Sequence, residues 1–181
     1  MEFTDVVKLR RSVRKFSDRE VENKKIEQIL ESARMAPSWA NKQCCSFVIV
    51  KDKEKIELLS KAAGVINNWF KKSPILIVAC GDPKSSGIRN GIEYFTVDVA
   101  ISMEHLILSA ANLGLGSCWI GSFDEDRTKE ILEIPDNIRV VAITPIGYPA
   151  EKAGMQESIR RVILRSKKRK PLNEIVHYDE W

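Results

Sequence analysis

A chain of 181 residues with 44% hydrophobic side chains has enough apolar material for one core in a single domain. No apolar run reaches about 18 residues, which argues against a transmembrane helix, and Met1-Glu2-Phe3-Thr4-Asp5 has neither the basic nor the apolar stretch of a signal peptide, so a cytoplasmic protein is expected. The 29 basic residues nearly balance the 25 acidic ones, leaving +4, so positive charge is local: it concentrates in Arg10-Arg11-Ser12-Val13-Arg14 and in Lys167-Lys168-Arg169-Lys170, at opposite ends of the chain.

Phe3 to Leu9 has helical character and leads into the first basic cluster. Ile26, Ile29, Leu30 and Ala33 fall at helical spacing, predicting an amphipathic helix over 23–35 that Pro37 stops. Ser46 to Val50 reads as a buried strand, 53–63 as a short helix, and Ile75 to Cys80 as a second buried strand between Pro74 and Gly81-Asp82-Pro83. The longest helical stretch, 93–113, is apolar on more than one side and must be covered on most of them. Either a partner subunit covers it or it is the central core helix of one subunit. Gly114 and Gly116 end it. A strand over 117–121, a helix around 125–132 and a strand over 139–146 follow. Residues 151–181 read as an arm ordered by packing on something else, because Ile175, Val176, Tyr178 and Trp181 give it apolar anchors.

Four cysteines and two histidines, with Cys44 and Cys45 adjacent, do not match zinc or C-x-x-C spacing, so no metal site is expected. Four segments carry side chains suited to a ligand. Arg10, Arg11, Ser12 and Arg14 offer forked donors and a hydroxyl suited to a phosphate or an electron-rich carbonyl edge, although a basic run also marks an ordinary solvated helix end. Pro37-Ser38-Trp39-Ala40-Asn41-Lys42-Gln43 packs a hydroxyl, two amides and an indole between a helix and a core strand, where a plain helix-stop loop would also read this way. Gly114-Leu115-Gly116-Ser117-Cys118-Trp119-Ile120-Gly121 allows close backbone approach but is not a dinucleotide fingerprint, because Gly114 follows a helix and not a strand. Lys167-Lys168-Arg169-Lys170 is followed by Pro171, which favours a defined arm over a loose tail.

Taken in order, Arg10 to Phe16 (R-R-S-V-R-K-F), Pro37 to Gln43, Gly114 to Gly121, Ile146-Gly147-Tyr148-Pro149 and Arg169 to Val176 (R-K-P-L-N-E-I-V) resemble the FMN-dependent nitroreductase superfamily over nearly the whole chain, its compact branch in particular. The resemblance implies an α+β, nitroreductase-like fold with a mixed, mostly antiparallel sheet flanked by helices. It also implies an intertwined homodimer with FMN at the interface. Carried over residue by residue, Arg10, Arg11, Ser12 and Arg14 belong to the flavin site, Arg10 and Ser12 serving the phosphate and ribityl chain and Arg14 the N1–C2=O edge. Pro37, Ser38, Trp39, Asn41 and Gln43 come from the other subunit, Trp119, Ile120 and Gly121 line the ring near N5 and O4, and Lys167 and Arg169 reach the phosphate from the arm. Many relatives have Gln-Pro-Trp where this chain has Gln43-Cys44-Cys45, and a small residue where it has Trp39, whose indole is expected to narrow the pocket.

The implied activity passes hydride from NAD(P)H through FMN to a small electrophilic acceptor such as a nitroaromatic or quinone, by ping-pong kinetics. Positioning and electrostatics are the protein's share, so no residue is assigned as a catalytic acid or base. Other reactions known in the superfamily (dehalogenation, flavin reduction or cleavage, dehydrogenation) stay open. So does a basic module for nucleic acid or another polyanion, which would bind in a salt-sensitive way and be colourless. The expected partners are a second copy and a small molecule, with no nucleic acid and no membrane.

Overall fold

The computed structural model describes residues 1–150 and 169–181. The chain divides into two compact units, Met1–Glu151 and Lys152–Trp181. In chain order the first holds α1 (Phe3–Leu9), α2 (Asn23–Arg34), β1 (Cys45–Val50), α3 (Lys53–Ala62), α4 (Gly64–Asn67) and β2 (Ile75–Gly81). A hairpin of β3 (Ile88–Arg89) and β4 (Ile92–Glu93) then leads into α5 (Tyr94–Asn112), β5 (Gly116–Ser117), α6 (Glu125–Leu132) and β6 (Arg139–Gly147). In the second unit the described residues 169–181 contain one 3₁₀ turn, Leu172–Glu174, and His177 stacks on Trp181. The rest of the expected arm, with Lys167, lies outside the described residues.

The main sheet has the order β1-β2-β6-β5, and each neighbouring pair is antiparallel. A parallel bridge joins Ser12 to Ser117, which gives the mixed, mostly antiparallel character expected. β2 is an unbroken apolar run because both of its faces are covered. Ile75, Ile77 and Ala79 face the side of α2 and α5, while Leu76, Val78 and Cys80 pack with Ile56 and Leu59 of α3 and with Phe70. β1 is only half-buried, where full burial was expected. In one chain it is an edge strand with β2 alone beside it.

α5 is a core helix along the stripe of Phe95, Val99, Met103, Leu106 and Ala110. Val97, Ile101 and Leu108 on its other side are half-buried. Thus the core-helix alternative describes one face, and an apolar remainder is left over.

The strand expected over 117–121 is shorter. Gly116 and Ser117 pair with Gly147 and Ile146, then the ladder lapses until Ile120 meets Ile143, with both backbone bonds at 3.0 Å. The register is unchanged across the gap. Hydrogen-bonded pairs alternate in an antiparallel ladder, so the next one would set Cys118 opposite Pro145, which has no N–H to give. Cys118 and Trp119 therefore leave the ladder, and Trp119 stands 39% exposed at the sheet edge.

Backbone bonds with Ser117, Tyr148 and Ala150 hold the first basic segment in place. Val13 N–H donates to Ser117 O at 2.8 Å, Ser17 N–H to Tyr148 O at 2.9 Å, and Ala150 N–H to Lys15 O at 3.1 Å. The Tyr148 hydroxyl donates to Glu22 Oε2 at 2.6 Å and accepts from Lys25 Nζ at 2.8 Å, with the Arg19 guanidinium 3.9 Å above its ring. That hydroxyl, ahead of the backbone and Arg19, holds the Glu22 carboxyl down at about 2 from an ordinary 4.5. A depressed carboxyl contributes stability above its unfolded pKa and loses it as pH falls toward the folded value, here from about 4.5 to about 2. Tyr148→Phe is therefore expected to flatten the acid limb. Between about pH 6 and about pH 3 its melting temperature should fall less than that of the wild type; equal falls would exclude the pairing as a contributor.

Candidate functional site

The expected site residues of the first unit form two groups. The first is built on the chain leaving α1. The helix ends at Arg10, whose N–H donates to Val6 O at 2.9 Å, and the following residues run extended beside β5. The Ser12–Ser117 bridge is parallel, and continuing its register sets Arg14 level with Trp119. Val13 is the buried anchor between them. A Cβ on Gly116 would lie 2.7 Å from the Val13 side chain, so the missing side chain there serves this apposition. Gly114, at φ +76, is the residue that turns the chain out of α5. Arg10, Arg11 and Ser117 line a cavity of about 180 Å³ closed by Ala111, Leu115 and Pro149.

Trp119 stands beside this group, and Gly121 lies next to the Trp119 indole. Ile120 is buried in the core, and its backbone N–H and C=O are both bonded to Ile143. Its contribution is to anchor the two flanking residues.

The second group is the loop Pro37–Gln43. Pro37 follows α2, and the loop makes a 3₁₀ turn at Trp39–Asn41. Ala40, Asn41 and Gln43 all have left-handed backbone, at φ 47, 54 and 52, which is uncommon for residues other than glycine. Ser38 Oγ accepts the Gln43 N–H at 2.9 Å, and Gln43 Nε2 donates to Asn41 O at 3.3 Å. The Trp39 indole packs so closely on Gly87 that a Cβ there would lie 2.6 Å from the ring, and Tyr94 lies 6.0 Å away, centroid to centroid. Ser38, Gln43, Cys45, Asp98 and Ser102 line a cavity of about 210 Å³.

Cys44 and Cys45 are reduced. Burial, then the nearby Asp98 carboxylate, pushes the Cys44 thiol up. Burial, then Cys44, pushes Cys45 up to about 12. Both stay protonated at neutral pH and are poor nucleophiles.

The two groups stand at opposite ends of α5. Asp98 and Ser102 border one cavity and Ala111 the other, and Asp98 and Ala111 are about 20 Å apart along the helix at 1.5 Å per residue. Arg169 belongs to the second unit and is exposed. A third cavity, about 450 Å³, has Lys51, Lys72, Asp18 and Glu20 in its wall and none of the expected residues.

Asp98 was missed in the sequence, although a signal existed: it is the one charged residue between Glu93 and Glu104, within a mostly apolar stretch. Among the described residues no group of His, Cys, Asp or Glu could hold a metal ion, and no helix is long and apolar enough to cross a membrane.

Comparison with known proteins agrees with this architecture. A family model described as "Putative TM nitroreductase" matches residues 2–181. A nitroreductase family protein from Clostridium novyi is 39% identical in sequence, with 87% of this chain and 91% of that one covered and a TM-score of 0.81. An FMN-dependent nitroreductase from Clostridium difficile is 29% identical, with 97% and 98% covered and a TM-score of 0.79. A protein from Archaeoglobus fulgidus named as an NADH dehydrogenase/NAD(P)H nitroreductase is 35% identical over 153 residues, 82% of this chain and 86% of its own. With a family model spanning almost every residue and a solved relative of 39% identity sharing the fold over most of both chains, the chain belongs to the nitroreductase family.

Proposed function

We propose that this protein is an FMN-dependent oxidoreductase that takes electrons from NAD(P)H and delivers them to a small electrophilic acceptor, a nitroaromatic or a quinone, by a ping-pong mechanism. We further propose that it acts as a homodimer whose flavin sites are each built from both protomers. The separation of the two residue groups carries this reading. Cavities of about 180 and 210 Å³ are each below the roughly 300–1,000 Å³ of a usual cofactor pocket. Each lines up with one half of the family's flavin motif. A twofold axis that sets the loop of one protomer against the basic segment of the other uses each patch twice and leaves neither half over. The apolar remainder on α5 and the exposed Phe3 and Val7 of α1 supply surface for such a contact.

The residues fit the cofactor in kind. Arg10, Arg11 and Ser12 offer a phosphate and a polyol charged and hydroxyl donors. Arg14 offers a fixed positive charge to the N1–C2=O edge of a ring. Trp119 and Gly121 border that edge, with Ile120 anchoring them. Pro37, Ser38, Trp39, Asn41 and Gln43 of the second protomer close the other side; the resemblance to the family assigns Lys167 and Arg169 to the phosphate as well. FMN, when bound, supplies the two-electron carrier that accepts and releases hydride. No side chain is assigned a proton, and solvent can supply those that a nitro group or quinone takes up.

The test is spectroscopic. Purified protein supplied with FMN should turn yellow, bleach on anaerobic titration with NADH or NADPH, and recover its colour with a nitroaromatic or quinone. Steady-state plots at several acceptor concentrations should be parallel. Failure to take up FMN would refute the flavoprotein reading. Turnover of a halogenated aromatic alone by prereduced protein would replace the acceptor class.

A further inference from the structure

We propose that Asp98 is a positioning residue that sets the conformation of the flavin-side loop and ties it to the segment leading into the β3–β4 hairpin. The inference rests on the flavin reading above and adds a residue to it. Asp98 is 2% exposed on α5. Its Oδ1 accepts the Trp39 N–H at 2.8 Å. Its Oδ2 accepts the Cys44 S–H at 3.4 Å and the Ser86 O–H at 3.2 Å. One carboxylate thus holds the loop at its entry, Trp39, and at its exit, Cys44, across the residues with left-handed backbone. Such a conformation persists only where the surroundings over-determine it. Ser86 brings in a second segment. Its neighbour Gly87 receives the Trp39 indole and accepts the Tyr94 N–H at 2.9 Å, so loop 38–44 and the stretch 86–94 move as one piece around this carboxylate.

The chemistry of the partners makes the role specific. All three are donors, so the group among them must accept three times. An ionised carboxylate does so. An asparagine of the same size keeps the Trp39 contact through its oxygen but meets Ser86 and Cys44 with an NH₂, so the hydroxyl must turn to accept and the thiol offers only a weak acceptor. It fills the space and replaces charge-assisted bonds with weaker ones, which separates positioning from packing.

The experiment uses full-length protein with and without FMN. Asp98→Asn is expected to raise the FMN dissociation constant about tenfold or more. In FMN-free protein it should speed both protease cleavage within 38–44 and iodoacetamide alkylation of Cys44 by about tenfold, because a released loop exposes both. Circular dichroism should be unchanged. A second pair covers the case in which Asp98→Asn does not fold. Cys44→Ala removes the exit contact and should loosen the loop and weaken FMN binding, and Cys44→Ser restores an O–H donor and should recover both. The role is overturned if folded Asp98→Asn keeps FMN affinity and loop protection within about twofold of wild type, or if Cys44→Ser behaves like Cys44→Ala. Wild-type protein that takes up no FMN sinks the flavin reading alone, since the FMN-free cleavage and alkylation measurements still decide whether Asp98 fixes the loop.

Discussion

Gly116→Ala is expected to weaken FMN binding by about tenfold or more while the far-ultraviolet circular dichroism stays that of the wild type. The new Cβ would meet the Val13 Cβ and Cγ2 at 2.7 Å and Cγ1 at 2.9 Å. Val13 is buried and branched at Cβ, so it cannot rotate out of the way. Relief requires the backbone of residues 12–14 to move off β5, which breaks the Val13 N–H to Ser117 O bond of 2.8 Å. Overpacking of this kind costs about 1–3 kcal/mol. Here it falls on the segment that carries Arg10, Ser12 and Arg14. Val13→Gly in the same chain removes all three clashing atoms and should recover part of the affinity, a coupling that a double-mutant cycle measures. Unchanged affinity in the single variant would show that this apposition does not hold the basic segment for the flavin.

Arg14→Ala should lower the two-electron potential of bound flavin by about 30–60 mV, equivalent to roughly 1.5–3 kcal/mol for a lost charge-assisted hydrogen bond. It should weaken FMN binding as well. The reasoning is electrostatic: negative charge develops at the N1–C2=O edge on reduction, and a fixed cation there favours the reduced form. Arg14→Lys keeps the charge and loses the planar fork, so its potential should fall between the two. A dye-equilibration measurement finding Arg14→Ala within about 10 mV of wild type would remove Arg14 from that edge.

Much of the molecule was legible in the sequence because its elements are strongly patterned. β2 is an unbroken apolar run, and it is covered on both faces. α2 carries Ile26, Ile29 and Ala33 on one buried face, and Pro37 closes the segment after it. The expected site residues of the first unit fall in two groups, at opposite ends of α5. What escaped was non-local. Nothing adjacent to Cys118 announces that its ladder position faces Pro145, so the strand is shorter than the local pattern suggests. The half-exposed state of β1 depends on its being an edge strand, and strand order is not a local property. The need for glycine at position 116 comes from Val13, over a hundred residues earlier. Asp98 stands alone as a charge in its stretch of sequence, because Trp39 and Cys44 lie 59 and 54 residues away and Ser86 lies on the separate segment before the hairpin.

The most direct test of a flavin site shared between protomers is complementation. One variant carries Arg10→Ala and Arg14→Ala; a second carries Ser38→Ala and Gln43→Ala. Each alone should bind FMN at least about tenfold more weakly than wild type. Co-expressed under different tags, they form a heterodimer in which one site holds both lesions and the other none. That heterodimer is expected to bind one FMN per dimer at wild-type affinity. A heterodimer that binds FMN no better than its parents would mean that each site is built within a single chain, and would contradict the shared site.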